Sequence, residues 1–211
     1  MTNRETSLLR TKRDHQHELL LKIAESIMKE GGFAALSMQA LAEGMGTGIS
    51  SLYRHYKSKD ELCAALFRLN TDKEIEAVRE ALHSKGSIEE RIAKGIEVFV
   101  HRALQRPKLT WAMIAEPVAP AVEAARLEYR ETFATTFAEV ISEALPNDKL
   151  SKQNSNLAAT ALIGGMAEVL VNPLTKSLSV SQITHHIVQF CLGGVEVILR
   201  NSSINQQQKH G

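Results

Sequence analysis

The chain has 211 residues, 44% of them hydrophobic, which suits one medium domain or a small domain joined to a larger one and excludes a disordered chain. The formal net charge is only +1, yet residues 1–59 carry nine Lys and Arg against six Asp and Glu, while the remainder carries 16 against 18. A mildly basic head on a mildly acidic body suits a nucleic-acid-binding end and excludes a uniformly polybasic or polyacidic chain.

Residues 1–12 read as a polar, mixed arm. From about Lys12 to Glu30, apolar residues at Leu19, Leu20, Ile23, Ala24, Ile27 and Met28 follow helical spacing. Gly31-Gly32 then offers a left-handed C-cap. Ser37 is a candidate N-cap for a short second helix ending near Gly44 or Met45. Gly46-Thr47-Gly48 is a tight turn, and a third short helix runs from about Ile49 to Tyr56. Ser58 with Glu61 predicts a capping box opening a fourth, long helix that reaches about Leu82.

Further helices are predicted from about Ile88 to Gln105 and from Pro107 to the break at EPVAP. Another runs from Ala121 to Leu145, with Leu127, Phe133, Phe137, Val140 and Ile141 as its apolar positions. Two last helices span about Ser151 to Val171 and Ser181 to Leu199, separated by Asn172-Pro173, before a polar tail. No stretch alternates convincingly as a strand, so the predicted fold is all-α. Its predicted parts are a helix-turn-helix domain with an N-terminal arm over 1–59 and a larger helical domain over 60–211.

The apolar runs at 158–170 and 187–199 are broken by Gly, Glu or polar residues and fall short of a membrane span. The N-terminus shows no apolar stretch followed by a cleavage site, so the expected location is cytoplasmic, with no membrane partner. Cys63 and Cys191 read as small buried hydrophobes rather than a redox pair. His15 with His17, and His185 with His186, have the wrong spacing for one helix face, so no metal and no cofactor are expected. Enzyme motifs are absent; an enzyme reading would have to rest on Glu116, His101 or Glu168 alone. The helical scaffold without DNA binding remains a third reading.

The short helices before residue 60, with a glycine-bearing turn, form a helix-turn-helix pattern, although a plain helical hairpin has the same periodicity. The ordered features of Ser37 to Leu62 separate the two. Leu41-Ala42, Gly46, Leu52-Tyr53-x-His55-Tyr56 and Lys57-Ser58-Lys59 leading into Glu61-Leu62 resemble the signature of the TetR family of bacterial repressors. Upstream, Gly31-x-Phe33 and the preceding helix fit as well, so the resemblance covers about residues 13 to 64.

The resemblance implies double-stranded operator DNA as partner, a homodimer, and release by an unidentified small molecule, with 60–211 as the ligand-binding and dimerisation domain. Ser37 and Gln39 would contact phosphate or a base edge. Ile49, Ser50, Ser51, Arg54 and His55 would face the major groove, and Tyr53 and Lys59 would reach phosphates. The lesser alternatives are a core aromatic for Tyr53 and a capping or solvated histidine for His55. The family more often has an aliphatic, a Ser-like cap and a polar residue where Thr47-Gly48-Ile49 stands. Ile49 cannot hydrogen-bond a base and would touch a thymine methyl instead.

In the second domain the family's core commonly opens into an effector pocket. Phe67, Phe99, Trp111, Phe133, Phe137 and Met166 are the candidate apolar lining and Glu116 the candidate polar handle, with ordinary core packing as the alternative for each. Ala161, Gly164, Gly165, Gly194 and Ile198 mark the expected dimer interface, since mid-helix glycines cost about 1 kcal/mol against alanine and close helix approach is a reason to keep them. A buried contact within one chain is the alternative.

Overall fold

The computed structural model describes the backbone of residues 3–172 and 177–207, and side-chain surroundings for 13–172 and 177–200. Among the described residues the secondary structure is helical throughout, with no strand. In chain order the helices are α1 Asn3–Gly31, α2 Met38–Gly44, α3 Ile49–Leu52, α4 Lys59–Leu82, α5 Ile88–Gln105, α6 Pro107–Ile114, α7 Pro120–Ser142, α8 Lys149–Val171 and α9 Val180–Gln207.

Local chemistry sets most of these ends. Gly32 takes φ +71°, a conformation that stops α1 and suits glycine. Ser37 Oγ accepts from Ala40 N at 3.0 Å and Asp148 Oδ1 from Ser151 N at 2.8 Å, capping α2 and α8. The expected box at Ser58 is only half formed. Ser58 Oγ accepts from Glu61 N at 3.1 Å, but the Glu61 carboxylate reaches past the cap to Lys57 N at 2.6 Å. The complete box lies at α5, where Ser87 and Glu90 satisfy each other's backbone N–H groups.

Three expectations need correction. The 3–12 segment continues α1 rather than forming a loose arm. Helix α3 ends at Leu52, its continuation to His55 being turn. Leu127 is 58% exposed and belongs to the outer face of α7. The expected break at Pro173 lies outside the described residues, and the tail is helical as far as Gln207.

Two apolar clusters hold the chain. The first gathers Leu20, Met28, Phe33, Leu41, Leu52, Leu62 and Phe67, and it is closed by Leu109 and Ala112 of α6 with Val122 and Ala125 of α7. The second joins the far half of α4 to α5, α7, α8 and α9 through residues such as Val78, Ile96, Phe133, Phe137, Met166 and Val195. Tyr129 packs against both. Cys63 and Cys191 are free and buried, their thiols pushed up to about 11 chiefly by burial, so they remain protonated and inert.

Candidate DNA-binding surface and internal cavity

Between α2 and α3 the backbone reverses on Gly46 at φ +62°. Gly46 N donates to Glu43 O at 3.0 Å and Thr47 N to Ala42 O at 2.9 Å, the pattern of a Schellman turn. A side chain at Gly46 would meet nothing within 4 Å, so backbone conformation alone demands glycine there. Helix α3 starts at Gly48 without a side-chain cap and is held by the buried Leu52.

Ile49 and Ser50 of α3, and Tyr53 and Arg54 of the turn that follows it, are exposed, Ile49 to 41% and Tyr53 to 49%. Tyr53 is therefore not a core aromatic. Arg54 Nη2 donates to Ser51 Oγ at 2.8 Å, which orients the guanidinium along the helix. Ser37 and Gln39 are exposed at the start of α2, Gln39 donating to Glu43 at 3.2 Å. Lys59, half-buried, opens α4. Lys57, just before the Ser58 cap of α4, is exposed as well.

His55 is placed differently from the rest. It is half-buried, and its ring stacks on His17 of α1 at 5.7 Å between centroids. His17 Nε2 in turn hydrogen-bonds the Tyr56 hydroxyl at 2.9 Å. Burial, then the neighbouring His17, Arg13 and Arg54, hold His55 below its ordinary pKa of 6.5. His17 was legible as a solvated or half-buried histidine, but its contacts were not, because its partners lie about forty residues downstream.

The six expected pocket residues do not line one cavity. Phe67 belongs to the first cluster, and Phe137 and Met166 are fully enclosed in the second. Trp111 is 47% exposed and borders a separate groove with Glu30, Lys108 and Leu170. Glu116 is no handle for a ligand: its buried carboxylate accepts from Phe33 N at 2.9 Å and Ala34 N at 2.8 Å.

Of the six, Phe99 and the fully buried Phe133 behind it lie nearest to open space, with ring centroids 4.9 Å apart. A small cavity of about 70 Å³ lies among α4, α5, α6 and α7, bordered by Thr71, Glu74, Phe99, Arg102, Met113 and Tyr129. A wider cleft of about 590 Å³ adjoins it toward α8, bordered by Phe133, Ile163 and Gly164, and shares Phe99, Met113, Ile114 and Tyr129 with the cavity. Ile114 and Tyr129 escaped sequence reasoning because helical spacing does not reveal which side chains meet a gap.

On the outer surface of α8 and α9, Ala161, Gly164 and Gly194 are exposed, and a methyl group added at either glycine would meet nothing within 4 Å. Gly165 is half-buried against the Phe190 ring, and Ile198 packs on the second cluster. Large apolar residues stand beside them in solvent: Leu157 is 71%, Phe190 77% and Val197 57% exposed. Sequence reasoning named none of these three. Among the described residues no group of His, Cys, Asp or Glu could hold a metal, and no helix is long and apolar enough to cross a membrane.

Architecture and surface together define an all-helical protein with an N-terminal helix-turn-helix. Residues 20–66 match the family of bacterial regulatory proteins named for tetR. The HTH-type transcriptional activator FasR of Mycolicibacterium smegmatis is 30% identical over 90 residues, 43% of this chain and 41% of its own length. An HTH-type transcriptional regulator of Staphylococcus aureus is 35% identical over 51 residues, 24% of this chain and 28% of its own length. Both matches thus span less than half of the relative.

Solved structures extend the likeness of fold over most of the chain. FadR of Bacillus subtilis, solved with stearoyl-CoA, has a TM-score of 0.69 at 14% identity and covers 84% of this chain and 98% of its own. A TetR-like regulator from a Rhodococcus species has a TM-score of 0.65 at 22% identity, covering 86% and 96%. Residues 20–66 thus resemble the TetR family in sequence, and beyond them the likeness is one of fold.

Proposed function

We propose that this protein is a non-enzymatic, ligand-responsive transcriptional repressor that binds operator DNA as a homodimer. The observation that carries the reading is the exposure of Ile49 and Ser50 on α3 and of Tyr53 and Arg54 in the turn after it, inside the matched region. An α-helix presented this way fits the major groove, with Ser37, Gln39 and Lys59 positioned for the flanking phosphates. His55, drawn toward His17, contributes shape more than charge. Residues 1–59 would act as the reading head and 60–211 as the sensing and pairing body.

Pairing through α8 and α9 is supported by the solvent-facing Leu157, Phe190 and Val197 around Ala161, Gly164 and Gly194. A two-fold pair would present two heads about 34–36 Å apart, or more on a long operator. Effector binding is supported by the cavity and cleft around Phe99, Phe133 and Tyr129, whose apolar walls suit a mostly hydrophobic molecule. Helix α6 borders both this space and the head, so it offers a route by which occupancy biases head spacing.

A mobility shift with the DNA upstream of the protein's own coding sequence tests the reading. A retarded band lost in Arg54→Ala supports it; no shift on that DNA, with the protein folded, counts against it. The M. smegmatis relative is named an activator, so a reporter gene on the same DNA reads the sign of the effect.

A further inference from the structure

The cavity among α4, α5, α6 and α7 has polar walls whose groups are nearly all occupied. Asn70 donates to Leu66 O at 2.9 Å, Thr71 to Phe67 O at 3.0 Å and Thr110 to Ala103 O at 2.7 Å. Glu74 and Arg102 close on each other through hydrogen bonds of 2.6 and 2.9 Å, leaving no net charge. Tyr129 is the exception. Its ring stacks on Phe133 at 5.4 Å and meets Phe67 edge-on at 6.0 Å, which fixes its orientation.

The Tyr129 hydroxyl has no hydrogen-bond partner among the described residues. Every side-chain polar atom sealed from solvent there does have one, so this oxygen must open onto accessible space. The space is at hand, because Tyr129 borders both the cavity and the cleft. Burial, and then the Glu74 carboxylate, push the phenol well above its ordinary pKa of 10, so the hydroxyl is a proton donor at any physiological pH. The cavity's 70 Å³ is well above the ~10–15 Å³ one water needs, room enough for a small polar group attached to a chain lying in the cleft.

Resting on the regulator reading above, we propose that Tyr129 is the recognition donor of the effector site, and that the effector is an elongated, uncharged molecule with one carbonyl-type acceptor, such as an ester, amide or ketone. A carboxylate buried beside Tyr129 would find no unpaired buried cation. Arg102 is held by Glu74, and Arg126 by Glu123 and by the carbonyls of Ala112, Met113 and Glu116. Arg106 and Arg130 border the openings but stand in solvent. Burying an anion without a counter-charge is unfavourable. A plain hydrocarbon would seal the Tyr129 hydroxyl without a partner, which is unfavourable too.

The test is calorimetry and Trp111 emission on the full chain with three probes of equal chain length: methyl octanoate, octanoate and octane. Methyl octanoate should bind tightest, and Tyr129→Phe should weaken it about five- to tenfold, the loss of one hydrogen bond, while octane binding is unchanged. Octanoate binding more tightly than its ester would overturn the uncharged class. Equal weakening of ester and octane would reassign Tyr129 to packing, and no saturable binding of any probe would overturn the effector class altogether. The mobility shift, run on the same samples without probe, reports on the regulator reading independently.

Discussion

Glu116 and Phe33 are joined across 83 residues of chain by a hydrogen bond from backbone N–H to carboxylate, 2.9 Å long, and the same carboxylate takes the N–H of Ala34 at 2.8 Å. The bend after α1 is thereby fastened to the end of α6. Gly32 makes the approach possible, since a side chain there would lie 2.4 Å from the carboxylate. Arg126 completes the fastening from behind by holding the carbonyls of Ala112, Met113 and Glu116.

Glu116→Ala leaves the buried Phe33 N–H and the part-buried Ala34 N–H without their acceptor and should cost about 1–3 kcal/mol in urea unfolding. Glu116→Gln, which retains one acceptor oxygen, should fall between that variant and the wild type. A loss below about 0.5 kcal/mol for Glu116→Ala would show that water replaces the carboxylate there.

The His55–His17 stack predicts a pH dependence. His55 is held below its ordinary 6.5 in the fold, so the unfolded chain binds the extra proton first. The stability tied to it is complete above that value and is lost as pH falls through it toward the lowered folded pKa. Thermal unfolding between about pH 7.5 and 5 should therefore drop less steeply in His55→Gln than in the wild type. Parallel curves would remove His55 as a contributor.

Arg54 and Lys59 should weaken DNA binding in different ways. Lys59→Ala removes one phosphate contact, so affinity should fall alike on all sequences and the salt slope should shrink by about 1 per site. Arg54→Ala should cost about 1–3 kcal/mol at one base position while sparing random DNA. Equal losses on both kinds of DNA would make Arg54 a backbone contact.

Phe190 and Gly194 test the pairing surface without disturbing the chain's own packing. Phe190 is 77% exposed and Gly194 has open space around it, so Phe190→Glu and Gly194→Leu should leave the fold of one chain intact. Both should shift light-scattering mass toward the monomer at micromolar concentration. Dimer mass unchanged in both variants would move the interface elsewhere.

The sequence carries the helices and the head well because their signals are local: Gly32 and Gly46 at positive φ, Ser37 and Ser58 as caps, Leu41 and Leu52 as anchors. The first residues of α1 were illegible because they lack an apolar period, and straight-chain helix formers such as Arg, Leu and Lys carry the helix without one. The pocket was hardest to read. Phe137 and Tyr129 lie on one helix, yet only packing decides that the first is enclosed and the second borders a cavity. Glu116 gave no sign of its role, since its partners are backbone N–H groups far upstream. Phe190 shows the reverse problem, an apolar residue in helical register that faces solvent in the single chain.

Selection of bound duplexes from a randomised DNA pool, with the mass of the purified complex, tests operator recognition by a homodimer. An inverted repeat whose half-sites lie about one helical turn or more apart should be enriched, bound by an even number of chains, and the enrichment should be lost in Arg54→Ala. Recovery of no enriched sequence by a folded, dimeric protein would contradict such recognition.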